Sequence, residues 1–261
     1  GSDREALALA VNASFGKGKA LSEIYCRTKA TEDEARSYLD DYIGETLRKV
    51  KELRPGVPYY PDVIGNFGIV LGNFSQIPTL SIWYHPEVDF KYYLDMQFNA
   101  IANDPTYEGL GLIGVWGSHY TDEELHRWSF MLTRHYCIEG RKDMLSKRYG
   151  LKYLPGTVVN GDFRESLQGW RIEGEVKRES IYKFSDSAER RWCGDQGDSF
   201  AVLIKKDGKT AKVGQMISNL EPGRTYSLDV VCFDAHDART KAHRPYRVPI
   251  EVRLGSAAKR I

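Results

Sequence analysis

The constraint that most narrows the possible folds is a change of periodicity near residue 150. Up to that point, short apolar runs alternate with long stretches of helical spacing. Beyond it, short alternating runs are separated by Gly, Asp, Ser and Asn turns. A chain that switches period midway cannot bury both halves in one sheet-and-helix pattern, so two domains are expected, at residues 1–150 and 151–261. Residues 148–157, RYGLKYLPGT, read as the linker, with Pro155-Gly156 as its punctuation. Charge follows the same division. Residues 151–261 carry 20 basic and 15 acidic side chains, against 17 and 21 before them, so the halves are near +5 and −4.

In the first half the clearest element is a helix over 31–53. Thr31 with Glu34 makes a capping box, and Tyr38, Leu39, Tyr42, Ile43, Leu47, Val50 and Leu53 form its apolar stripe. Pro55-Gly56 stops it. Strands are expected in ALSEIYC (20–26), VIGNFGIVL (63–71), TLSIWY (79–84) and GLGLIGVWG (109–117). One further helix runs through Phe90, Leu94, Phe98 and Ile101, and another through Leu125, Trp128, Leu132 and Tyr136 behind a Thr121/Glu124 cap. Strand–helix alternation implies parallel pairing with right-handed crossovers. Three or four such units fall short of the eight that close a barrel. The half is therefore either the trailing part of a barrel or a smaller open α/β sheet. A half-barrel alone would leave sheet edges open, which calls for a missing half or a partner chain.

The second half reads as a β-sandwich. Its strands are expected at 157–163, 169–178, 198–206, 212–220, 225–235 and 246–255, with Asp207-Gly208 and Pro222-Gly223 as turns.

Composition excludes several classes. The 37 basic and 36 acidic residues leave a net charge of +1, which gives no electrostatic basis for nucleic-acid binding. No apolar run reaches the roughly 20 residues of a membrane span. Cys26, Cys137, Cys193 and Cys232 are scattered in mostly apolar surroundings without CxxC spacing, and read as buried free thiols rather than zinc ligands, with a disulfide in an exported protein as the alternative. Gly1-Ser2, with no initiator Met and no signal peptide, reads as a cloning scar on a mature protein or a fragment. No GxSxG, HExxH, P-loop or dinucleotide fingerprint occurs.

Several pieces of the second half together carry a resemblance. Asn160-Gly161-Asp162-Phe163, Gly169-Trp170, Gln215-Met216-Ile217 and Leu220-Glu221-Pro222-Gly223-Arg224-Thr225-Tyr226 are similar to the jelly-roll carbohydrate-binding modules appended to polysaccharide-degrading enzymes. In the first half, FKYYLDMQFNAIANDP and GLGLIGVWGSHYTDEELHRW resemble the trailing section of a (β/α)8 glycoside-hydrolase barrel. The implied protein hydrolyses glycosidic bonds of a polysaccharide or glycan and carries a sugar-binding module. The alternative is a non-catalytic carbohydrate-binding or protein-interaction protein. A polysaccharide substrate would place it outside the cell, secreted or periplasmic.

Sugar rings stack their C–H faces on aromatic rings while their hydroxyls seek planar donors and acceptors. Trp192, Arg191 and Tyr182 supply both kinds of group in a loop-rich region. Trp192 fits a ligand platform and a packing residue equally, whereas Trp170, behind a turn glycine, reads as core. No cofactor is required. The resemblance implies a structural calcium, for which Asp162 and Glu165 offer oxygens, fewer than the six to eight calcium takes.

Hydrolysis needs two carboxyl groups at C-terminal strand ends. Glu23, in the first strand, is the best-placed acid, with a solvent-facing or arginine-paired glutamate as the plainer account. His119 follows the last strand as a second catalytic candidate, and Trp116 and Tyr120 beside it are candidate sugar contacts. Glu87 and Asp89, after Trp83-Tyr84-His85, read as helix caps, and Glu123 and Glu124 as first-turn structural acids.

Overall fold

A computed structural model describes residues 20–23, 28–52, 67–73, 85, 87–116, 123–181 and 198–218, with short stretches and single residues between 220 and 240. Strand β1 (Ala20–Glu23) leads to α1 (Glu32–Leu39), a π-helical turn (Asp40–Gly44) and α2 (Glu45–Glu52). Strand β2 (Phe67–Asn73) precedes α3 (Phe90–Asn103). Strand β3 (Leu112–Trp116) precedes α4 (Glu123–Thr133), a second π turn (Arg134–Ile138) and the short α5 (Leu145–Arg148). The three strands form a parallel sheet in the order β1-β2-β3. Closing such a sheet into a barrel would need strands outside the described residues, and the expected strand at 79–84 lies outside them too.

The expected 31–53 helix forms over Glu32–Glu52, with a π turn in its middle. Thr31 Oγ1 accepts from the Glu34 amide at 3.2 Å, which caps it. Ala35, Leu39, Ile43 and Leu47 are its buried apolar residues, each four apart. A pure α-helix would swing that row about 40° per step away from the core, since four residues overshoot a 3.6-residue turn. The wider π turn takes up the excess, so Ile43 and Leu47 return to the buried face. Tyr42, expected on the stripe, is exposed instead.

Helix α3 is buried on every side through its middle. Seven consecutive residues, Tyr92 to Phe98, are almost inaccessible, which only a helix wrapped by other elements shows. It packs against α1, α4, α5 and β2. Its solvent side is covered by the segment after α4. Asn99 and Asn103 both donate to the Lys142 carbonyl, at 2.8 and 2.9 Å, and the Asp89 amide donates to the Tyr153 carbonyl at 2.9 Å. Met144, Leu145 and Tyr153 join the same apolar core, so the chain expected to be a linker packs on the first half as far as Tyr153.

Within this core Asp95 is fully buried. Its Oδ1 accepts from the Tyr136 hydroxyl at 2.6 Å and its Oδ2 from the Ser146 amide at 2.6 Å. Burial, followed by the bond to Asp95, raises the Tyr136 hydroxyl far above its ordinary pKa.

In the second half, β4 (Arg171–Glu173) pairs with β7 (Lys212–Gly214), and β5 (Glu175–Ile181) pairs with β6 (Asp198–Ile204), both antiparallel. The expected strand at 169–178 is broken at Gly174. Its φ is +80°, and a Cβ there would meet Ala211 Cα at 3.0 Å and the Thr210 carbonyl oxygen at 3.1 Å. The expected strand at 157–163 is a turn-rich loop, because Asn160 and Phe163 take positive φ. Residues 215–218 are irregular where a strand to 220 was expected. The strand expected at 246–255 lies outside the described residues, as does much of 225–235. Among the described residues, no fully buried apolar side chain lies beyond Tyr153.

Cys137 and Cys232 are exposed rather than buried. On the second π turn His135 and Tyr136 face inward, which leaves Cys137 outside. Cys26 and Cys193 lie outside the described residues.

Replacing Tyr136 by Phe keeps its ring against Phe98 and removes one of the two bonds to Asp95. The buried oxygen left behind should cost about 1–3 kcal/mol, read as a lower urea midpoint without a change in far-ultraviolet circular dichroism.

Candidate functional site

Ligands of parallel α/β sheets sit at the carboxyl ends of the strands, where the chain turns into its helices. Here that edge is built from three strand ends. Glu23 is the last residue of β1, opposite Val70 of β2. Asn73, the last of β2, stands opposite Trp116, the last of β3. The register shifts between Leu71 and Asn73, and such irregularities re-aim side chains beside many active sites. Backbone topology therefore brings two sequence-selected residues, Glu23 and Trp116, to the same edge.

The crossover segments entering α1 and α3 gather a polar cluster. Thr28, five residues past β1 and buried, accepts from the His85 backbone amide at 2.8 Å. His85 Nδ1 lies 2.8 Å from Glu87 Oε1, so the carboxylate orients the imidazole. Asp89 caps α3, its Oδ1 accepting from the Tyr92 amide at 2.9 Å. Burial raises the Asp89 carboxyl, and the cap bond opposes that rise. Tyr92 donates its hydroxyl to Glu32 Oε2 at 2.8 Å, while Glu32 Oε1 accepts from Arg36. The Tyr153 hydroxyl donates to the Lys29 carbonyl at 2.7 Å, and its ring meets that of Tyr92 edge-on at 6.1 Å. Lys91 pairs with Glu124 at the start of α4.

Chemically, the cluster offers an imidazole–carboxylate pair, two tyrosine hydroxyls and a half-buried carboxyl on the crossovers that follow β1 and β2. Sequence reading gave both Glu87 and Asp89 the role of helix caps. Asp89 has that role, while Glu87 holds His85. The signal for the pair was the spacing of His85 and Glu87 alone, and the Thr28 contact that anchors it spans 57 residues. His135 makes a useful contrast. It is buried, with Nε2 2.7 Å from the Asp143 carbonyl oxygen, and serves the core.

Of the other residues selected from sequence, His119, Tyr120, Tyr182, Arg191 and Trp192 lie outside the described residues. Asp162 and Glu165 lie in the 158–170 loop, which is organised by two side-chain amides. Asn160 Nδ2 donates to the Ser166 and Gln168 carbonyls at 3.0 and 2.9 Å, and Asn160 Oδ1 accepts from the Glu165 amide at 3.0 Å. Gln215 bonds both backbone groups of Val159 and the Gly169 carbonyl. Trp170 donates its indole N–H to the Asn160 carbonyl at 2.9 Å and stacks on Phe163 with centroids 4.9 Å apart. The residues behind the sugar-module resemblance are thus one interlocked knot, and Trp170 packs rather than presents.

The knot fits calcium poorly. Asp162 Oδ2 is buried without a hydrogen-bond partner, yet its ion-pair neighbour is Arg164 at 3.4 Å, and Glu165 is exposed. The carbonyls of Asn160, Phe163, Ser166 and Gln168 already accept from Trp170, Arg178 and Asn160. Among the described residues no group of three or more His, Cys, Asp and Glu side chains could hold a metal ion. No helix among them is long and apolar enough to cross a membrane.

A groove of about 450 Å³ opens at the other end of α3, lined by Arg36, Asp40, Asn99, Asn103 and Asp104 among others. Its polar groups are engaged within the fold: Asp40 with Arg48, Asp104 with the Thr106 amide, and both asparagines with Lys142.

Comparison with protein-family models, curated proteins and solved structures finds no match to this chain.

Three outcomes follow from these bonds. Burial, with Glu32 adding to it at Tyr92, pushes Tyr92 and Tyr153 from the ordinary 10 up to about 12. The folded state thus favours the neutral hydroxyls. The stability they lend is intact below about pH 10 and is lost as pH climbs through about 12, so the melting temperature should fall across that window. Asn160→Ala should lower the stability of the second half by about 0.5–1.5 kcal/mol, since its partners are exposed and water replaces the lost amide, whereas exchanging calcium for a chelator should leave the wild-type melt unmoved.

Proposed function

We propose that the chain is a carbohydrate-active protein that hydrolyses glycosidic bonds of a polysaccharide or glycan, with residues 151–261 as an appended sugar-binding module. The observation that carries this reading is that Glu23 and Trp116 are the last residues of the two outer strands of one parallel sheet, opposite Val70 and Asn73 of the strand between them, at the carboxyl edge. The fold proposed is a partial (β/α) barrel followed by a jelly-roll sandwich. By their place in the sequence, His119 and Tyr120 after β3 are assigned to the same site, and Trp192, Arg191 and Tyr182 are assigned the stacking and hydrogen bonding of sugar in the module. An extracellular or periplasmic location goes with a polysaccharide substrate.

Glycoside hydrolysis asks one carboxyl group to protonate the leaving oxygen and another to attack the sugar or activate water. Glu23 is assigned the first duty. Trp116 is suited to stack on a sugar ring, whose C–H face matches an indole. One observation favours the second reading, glycan binding without hydrolysis. Asp89 is committed to capping α3 and Glu87 to His85, so both described carboxyls of that crossover already have structural partners.

A polysaccharide panel assayed for reducing-end release separates these readings. Wild type should release sugar from at least one polymer, and Glu23→Gln should lose on the order of 10²–10⁴ of that rate. Binding to the same polymer should survive Glu23→Gln and fall with Trp192→Ala. Binding without release would establish the non-catalytic reading, and neither binding nor release would overturn both.

A further inference from the structure

Asn160 and Gly161 form the chain's one Asn-Gly pair, and they sit in the centre of the loop knot. Asparagine before glycine is the pair most open to self-attack, because glycine puts no side chain in the way of ring closure. The Gly161 backbone nitrogen bonds to Asn160 Cγ, the Cγ–Nδ2 bond breaks, and Nδ2 leaves as ammonia. Water then opens the cyclic imide at either carbonyl to give aspartate or isoaspartate. The net change is amide plus water to carboxylate plus ammonium, with solvent as the only co-reactant.

In the folded chain that side chain is held by three hydrogen bonds. Nδ2, the departing nitrogen, donates to two backbone carbonyls, and Oδ1 accepts from the Glu165 amide. Turning Cγ toward Gly161 breaks all three. The backbone is fixed as well. Asn160 has φ +49°, and its carbonyl accepts from the Trp170 indole and the Phe163 amide. Once the amide becomes a carboxylate, an oxygen that cannot donate faces the Ser166 and Gln168 carbonyls, so the clamp cannot re-form.

We propose that Asn160–Gly161 is a latent deamidation site, locked by the folded knot and opened by local unfolding, whose conversion irreversibly releases the 158–170 loop. The modified fraction of the population would record the cumulative time that the loop spends open.

The full chain is incubated at mildly alkaline pH, folded and in urea, and the Asn160 peptide is quantified by mass spectrometry with isoaspartate-specific labelling. Deamidation should be at least about tenfold faster in urea, because the folded chain reacts only during the fraction of time that the clamp is open. Equal rates would overturn the proposal. Asn160→Asp, which mimics one product, should melt lower and be cut faster between 158 and 170. A variant matching wild type in both would also overturn it. Should Asn160→Asp fail to fold, Gly161→Ala decides. It keeps the clamp, its new Cβ meeting only Val158 side-chain atoms, the nearest at 3.1 Å, and it should remove the fast reaction in urea. Undiminished deamidation of Gly161→Ala in urea would refute the mechanism.

Discussion

A carboxyl group with no solvent contact must find donors inside the protein, and the two that Asp95 finds hold the first half together. One comes from the Tyr136 side chain on the π turn that follows α4. The other is the Ser146 backbone amide, in the first turn of α5. Losing either would strand a buried acceptor, so the segment after α4 is bound to α3 by polar satisfaction as well as by packing. That attachment explains how a helix with seven consecutive buried residues can exist here. The sheet covers one side, α1 and α4 flank it, and the segment from Arg134 to Tyr153 closes the remainder.

Fixing α3 in turn fixes the chemistry at its N-terminus. Asp89 caps the helix and passes its backbone N–H to the Tyr153 carbonyl. Tyr153 reaches Lys29, and Tyr92 reaches Glu32 at the start of α1. The polar cluster is therefore assembled by the same covering segment that buries α3. The cluster lies on the crossover segments before α1 and α3, and its bonds to Tyr92, Tyr153 and Glu32 tie those segments to packed helices.

Patterns carried by local periodicity were legible in the sequence. The Thr31 cap, the extent of the first helix, α3 from Phe90 onward and the Asp89 cap all rest on contacts within one or two turns, where spacing is informative. What depended on backbone detail was not. The π turn at Asp40–Gly44 arises because an apolar row with strict four-residue spacing outruns an α-helix, and Tyr42 falls outside as a result. Residues 157–163 alternate like a strand, but Asn160 satisfies its neighbours' backbone groups with its own side chain and turns the chain instead. Gly174 breaks a second strand because the backbone of Thr210 and Ala211 passes too close for a Cβ. The His85–Glu87 pair could be seen only as neighbours in sequence, since the Thr28 contact that seats it is a product of the tertiary fold.

The central claim is that the carboxyl edge of the parallel sheet is the working face. Amide hydrogen exchange of the full chain, with and without soluble xylo- and gluco-oligosaccharides, tests it directly. Slowed exchange concentrated in Thr28–Glu32 and His85–Tyr92 is the predicted result. Exchange unaltered there while the groove at the far end of α3, around Asn99 and Asp104, becomes protected would contradict the assignment.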